Sequence, residues 1–521
     1  MGEVVGTFGR GMSAYKELTE QVAQVNDILN AISVLTWDAR TQMPTGGAET
    51  RGQQLATLSS LAQERLTGDS LKDALVQAER EVSAADIIQT RTVQSVREAV
   101  GLFERIPPAL TAELARLKTV SQDVWAEARK KSDFGLFAPY LEQMVTLNQR
   151  LAGAIGYTDH PYDALLQQYE PGLTTRTLQD LFTSLKEGIL PLLEEIHTRG
   201  QEPRRDFLAL DFPEDQQRAF NVHLAELFGY DFTRGRLDTS AHPFEISFTR
   251  QDVRITTRYD RHHLPTSLFG TLHEVGHAVY EQGVSPELTR SALTSDFSGL
   301  YAVGGASYGT HESQSRLWEN LVGRSLPFWE RHFSELQEVF PEHLRGVDSA
   351  TFYRAVNRVS PSLIRVEADE VTYNLHIMLR VELETALLEG DLEVADLPEA
   401  WNAKVAEYLG LTPPDDATGV LQDVHWSAGL FGSFPTYTVG NVMASQFFEA
   451  AKAQVAGLNE TLAVGDYAPL RGWLTENIYR YGRIYPPQEL LERATGRSLD
   501  VTPYLEYLST KYRDLYDLYD L

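Results

Sequence analysis

The chain has 521 residues, 42% hydrophobic and 10% aromatic, enough to bury a large core. Its 46 basic and 73 acidic residues leave a net charge of −27, which disfavours nucleic acid and anionic membranes as partners. It contains no cysteine, hence no disulfide framework and no thiolate nucleophile or ligand, and no apolar run approaches the roughly 18 residues of a membrane span.

Length alone suggests about three domains. No Pro/Gly/Ser-rich linker, low-complexity tract or repeat marks a boundary, so the reading is one unit over 1–521, helical to about residue 240 and site-bearing from about 241. The stretch Met1–Glu20 lacks the apolar core of a signal peptide, and Gly6 stands where a myristoylation motif starting at Gly2 needs Ser or Thr. A cytoplasmic protein is the expectation.

Apolar residues at helical spacing predict a mainly α fold. In chain order the expected helices are Leu18–Val34, Gly52–Leu66, Leu71–Phe103, Pro108–Arg129, Leu136–Ile155, Leu178–Arg199 and Glu214–Leu227. The period then changes. Phe244–Thr249 alternates apolar and polar residues, Val253–Tyr259 does so less cleanly, and Gln251-Asp252 fits a tight turn between them. This predicts a two-stranded hairpin, whose edge could pair with an extended peptide.

The helix expected next is the informative one. Over Ser267–Gln282, Leu268, Leu272, Val275 and Val279 form one stripe, with Thr266 or Ser267 as cap, Pro265 upstream and Gly283 as stop. Within it lies His273-Glu274-Val275-Gly276-His277. Histidines four apart on a helix share a face, so both imidazoles can reach one divalent ion, while Glu274 sits beside it, placed to take a proton from water. Gly276 costs about 1 kcal/mol relative to alanine inside a helix. Such a residue predicts the close approach of another segment or of substrate.

A catalytic zinc site usually has a third protein ligand and one open position. The pattern with a third histidine fails here, because Tyr280 and Gly283 occupy the required Gly and His positions. A glutamate is therefore expected. Glu281 would string three ligands over about 12 Å of straight helix at roughly 1.5 Å per residue, too far for one ion. Glu287 sits in a turn beside Pro286. Glu312, opening a new helix that can cross the first, is preferred over Glu319 two turns later. His311 is open between orienting a ligand, touching substrate and simple packing. Further helices are expected at Glu312–Val322, Phe328–Val339, Ala350–Val356, Ile364–Leu388, Pro398–Leu409, Gly440–Val455 and Tyr467–Ile478.

Taken together, these residues resemble a known family. His273–Gly283 followed by His311-Glu312-Ser313-Gln314-Ser315-Arg316 resembles the M32 metallocarboxypeptidases of the thermostable carboxypeptidase type. Trp37-Asp38 through Met43-Pro44 with Arg51-Gly52, Tyr162–Leu166 with Tyr169-Glu170-Pro171-Gly172, and Asp252-Val253-Arg254-Ile255-Thr256 are similar as well. So are Ile364–Asp369, Gly419-Val420-Leu421-Gln422 and His425-Trp426-Ser427, and the matches span roughly residues 36 to 487.

The resemblance implies a saddle-like helical subunit with a deep groove, usually a homodimer, acting on peptides with a free C-terminus. It implies one divalent metal per chain, zinc first, with cobalt or manganese as alternatives. Carried over, His273, His277 and Glu312 are ligands and Glu274 is general base and acid. Arg365 and Arg254 are candidates for the substrate carboxylate, Gln422 lines the substrate site, and His425 and Tyr437 contact the reacting carbonyl. On the residues alone, Arg365 reads as a helix-surface arginine paired with Glu367 or Asp369. Two departures stand out: Ser433 where the family often has tyrosine, and a longer stretch Ala292–Gly304. Rival readings are an endopeptidase, a dipeptidyl carboxypeptidase, or a non-enzymatic helical protein whose structural metal would need a fourth ligand.

Overall fold

The computed structural model describes residues 13–519, so the Gly2 reading and most of Met1–Glu20 lie outside the described residues. Among the described residues there are twenty α-helices and one three-stranded sheet. No helix among them is long and apolar enough to cross a membrane.

Most predicted helices are present with shifted ends, and two differ in kind. The expected helix Leu71–Phe103 is two helices, Asp69–Glu81 and Ile87–Arg105. The Asp86 carboxylate accepts the Gln89 N–H and caps the second, so the chain restarts rather than continuing. The expected helix Ile364–Leu388 begins only at Tyr373. Before it, the Asp369 carboxylate accepts N–H groups from Ser360, Val371 and Thr372 and holds a turn. Arg365 lies upstream of that turn, in the 3₁₀ segment Arg365–Glu367.

The sheet consists of β1 (Gly235–Thr239), β2 (Glu245–Thr249) and β3 (Asp252–Thr257). The hairpin β2–β3 was expected, with its turn one residue earlier at Arg250-Gln251. β1 was not; it pairs in parallel with β3, so β3 is the central strand. Leu237 is its only large apolar residue, too weak an alternation to signal a strand.

Buried side chains form two clusters. The larger runs from Leu110 to Leu518 and crosses residue 240 without interruption. The smaller joins the first four helices, through residues such as Leu18, Leu29, Leu75 and Val96, and includes Ala292 and Phe297 from the stretch flagged as longer.

Candidate active site

The two-histidine helix spans Leu264–Gly283, starting three residues before the expected start at Ser267. Pro265 fits its first turn, and Ser267 is buried inside, donating to Gln217 rather than capping. Gly283 is its last residue. The glutamate helix, Tyr308–Arg316, crosses it and is tied at its start. The Ser307 hydroxyl accepts the Thr310 N–H, Tyr169 O accepts the Tyr308 N–H, and the buried Glu170 carboxylate accepts the Gly309 N–H at 3.0 Å. The Tyr169–Gly172 motif therefore anchors this helix.

Two glycines permit the crossing. A Cβ on Gly276 would lie 2.5 Å from Gln314 O and 2.6 Å from Ser315 Cα. A Cβ on Gly440, in the helix Pro435–Gln454, would lie 2.7 Å from Glu312 Cγ. The glutamate helix is thus wedged between two backbones, and the close approach expected at Gly276 is present.

This wedge brings Glu312 Oε2 to 3.5 Å from His273 Nε2 and 3.4 Å from His277 Nε2. All three donor atoms lie within 4.8 Å of one another. Donors bound tetrahedrally at about 2.0–2.1 Å would sit about 3.4 Å apart, so the set fits one zinc-sized ion. Charge fits as well. Burial opposes a proton on His273, yet the Glu312 and Glu319 carboxylates outweigh it and raise its pKa to about 10. Burial together with His311 pushes His277 down to about 3. The site attracts a cation and leaves one imidazole free of protons to bind it.

Glu319 lies behind the site instead of in it. The His273 Nδ1 pairs with Glu319 Oε2 at 2.9 Å, and Arg316 Nε donates to Glu312 Oε1 at 2.7 Å while also reaching Glu319. A turn of π-helix, Leu317–Val322, follows the glutamate helix and carries Glu319 there. Glu274 is 6% exposed, and burial raises its carboxyl to about 7.

The remaining candidates separate into two groups. Arg365 is buried and pairs not with Glu367 or Asp369 but with Asp423, at 2.8 Å. Asp423 also holds Arg380 at 2.6 Å, so one carboxylate serves two guanidinium groups and the cluster keeps an excess positive charge. Arg365 Nη1 donates to Tyr373 OH, and Arg316 stacks on the same Tyr373 ring, which links this cluster to Glu312. His425 Nε2 lies 3.3 Å from Tyr437 OH, and burial pushes His425 down to about 4. Arg254 sits apart, paired with Asp252 at 2.8 Å and stacked on Trp37 and Phe248. Gln422 uses its amide on backbone: Oε1 accepts the Arg365 N–H, and Nε2 donates to Leu363 O. Sequence reasoning missed Asp423, Tyr373 and the roles of Arg316 and Glu281. Arg316 stands four residues after Glu312 and three before Glu319, a spacing that could have signalled its pairing. The others carry no spacing signal, because their partners lie on other segments.

The profile of carboxypeptidase Taq (M32) metallopeptidases matches residues 17–512. This chain belongs to the M32 metallopeptidases. Thermostable carboxypeptidase 1 of Thermus thermophilus is 43% identical, the match covering 97% of this chain and 99% of that protein. Carboxypeptidase 1 of Bacillus subtilis is 39% identical over 96% of this chain and 98% of its own. An M32 carboxypeptidase from Deinococcus radiodurans R1 superposes with a TM-score of 0.93 at 42% identity, covering 97% and 100% of the two chains. Trypanosoma cruzi metallocarboxypeptidase 1 gives 0.90 at 33%, over 97% and 100%. As an M32 enzyme, the protein is a metal-dependent carboxypeptidase.

Proposed function

We propose that His273, His277 and Glu312 hold one divalent ion, zinc by donor set, and that Glu274 carries the proton in peptide hydrolysis. The supporting observation is the convergence of two Nε2 atoms and one carboxylate oxygen, with Glu274 on the same helix as the imidazoles. A divalent ion held there supplies Lewis acidity to the scissile carbonyl and acidifies water to a pKa of about 7. Glu274 accepts one proton from the attacking water and delivers it to the departing amine nitrogen. Tyr437 OH, with His425 behind it, donates to the oxyanion that forms. The positive excess at Arg365 and Arg380 draws the substrate's terminal carboxylate. Arg254 is the weaker choice, because Asp252 already neutralises it. Gln422 supports this by fixing the backbone at Arg365.

The ligand set is tested by metal analysis of purified variants. Wild type should carry one zinc, lost in His273→Ala and Glu312→Gln and kept, with weaker affinity, in Glu319→Gln. Retention in Glu312→Gln with loss in Glu319→Gln would reverse the assignment. The carboxylate reading is tested with a peptide pair, one end free and one amidated; equal trimming of both rejects it. The same reading includes a single cytoplasmic unit, a groove lined by these residues and a homodimer, the last checked by sedimentation.

A further inference from the structure

The mechanism leaves unused a buried chain behind His277. His311 Nδ1 lies 2.6 Å from His277 Nδ1, with the two rings stacked 4.5 Å apart at 21°. His311 Nε2 lies 2.9 Å from Glu281 Oε1. Glu281 is 4% exposed, and its carboxylate also accepts the Gly304 N–H at 2.9 Å and the Gly305 N–H at 3.1 Å. Both glycines are required sterically: a Cβ on Gly304 would meet Glu281 Oε2 at 2.8 Å, and one on Gly305 would meet His311 Cδ2 at 2.6 Å.

Hydrogen bookkeeping fixes every direction in this chain. If His277 Nε2 offers its lone pair to an ion, its Nδ1 carries the hydrogen. His311 Nδ1, at 2.6 Å, must then accept, so the hydrogen of His311 sits on Nε2. Glu281 accepts that hydrogen and two backbone hydrogens. His273 is held differently, directly by a carboxylate on Glu319.

We propose that the Gly304-Gly305 turn, Glu281 and His311 form one orienting chain that sets the tautomer and ring angle of His277. His311 and Glu281 are positioning residues; neither touches substrate. The inference rests on His277 being a ligand. It gives the stretch Ala292–Gly304 a purpose, since one end packs in the N-terminal cluster through Ala292 and Phe297 and the other closes on Glu281.

The test is zinc affinity, read by chelator competition on full-length protein. Glu281→Gln keeps the shape but sets an N–H against an N–H in either amide orientation, and should weaken zinc roughly ten- to a hundredfold. Gly305→Ala should weaken it too, although it lies three links from the ion. His311→Asn places an amide oxygen where Nδ1 stood and should stay nearer wild type than His311→Gln, which reaches Glu281 but not His277. Wild-type affinity in Glu281→Gln, or equal affinity in the Asn and Gln variants, overturns the inference. Failure of His277→Ala to lose zinc would instead overturn the ligand set itself.

Discussion

At the scale of single residues, the candidate site gives similar side chains different surroundings. Glu312 sits against Arg316 and two imidazoles, which hold it well below the usual carboxylate range despite burial. Glu274 has burial and neighbouring carboxylates, and is raised to about 7. One is suited to bind a cation and the other to exchange a proton. Glu274→Gln should therefore keep its metal, by metal analysis, and lose turnover on the order of 10³-fold. A near wild-type rate would show that the proton goes elsewhere. The pair His273 and His277 with Glu274 was legible from spacing alone, because all three lie within five residues of one helix. Glu312 needed a choice between two glutamates, and the structure separates them by which nitrogen of His273 each one faces.

Among the elements, helix interiors were legible and their junctions were not. The expected helix from Ile364 failed because Asp369 bonds three N–H groups that the periodicity of apolar residues does not register. β1 failed because its strand character comes from pairing with β3 rather than from its own residues. Gly276 is the opposite case, a local oddity that foretold a contact between elements. Gly276→Ala would force its methyl into the backbone at Gln314 and Ser315, which cannot yield like a side chain. The expected cost is about 1–3 kcal/mol of stability, visible in a denaturant titration, together with weaker zinc binding. An unchanged midpoint and unchanged metal affinity would show that the helices can part without consequence.

Across the whole molecule, acidity should act at a point that joins distant segments. Asp423 holds Arg365 and Arg380 from two other elements, with 13% of its side chain exposed. Burial works against its charge, but the two guanidinium groups prevail and hold its pKa well below 3.8. A depressed folded value means the stabilisation is complete above 3.8 and is lost as the pH falls below it. Asp423→Asn leaves two buried cations facing a neutral group, and should cost about 3–5 kcal/mol near neutrality. Its stability should also fall less between pH 4 and pH 2 than that of wild type, measured by urea titration at each pH. Parallel loss in both proteins would place the acid-sensitive group elsewhere. Of the overall architecture, the mainly helical class and the hairpin beside the site were readable from the chain. The two separate apolar clusters were not, since membership depends on contacts between residues as far apart as Leu29 and Phe297.

The wide turn at Leu317–Val322 carries one further implication. A π turn holds one residue more than ordinary winding does, so helix pitch itself aims Glu319 at the back of His273. Removing a single residue between 320 and 322 would let the coil tighten to ordinary winding and turn Glu319, which lies inside it, away from His273. A shortened chain of that kind should keep every side chain discussed above and yet lose the alignment of one imidazole: composition intact, aim gone.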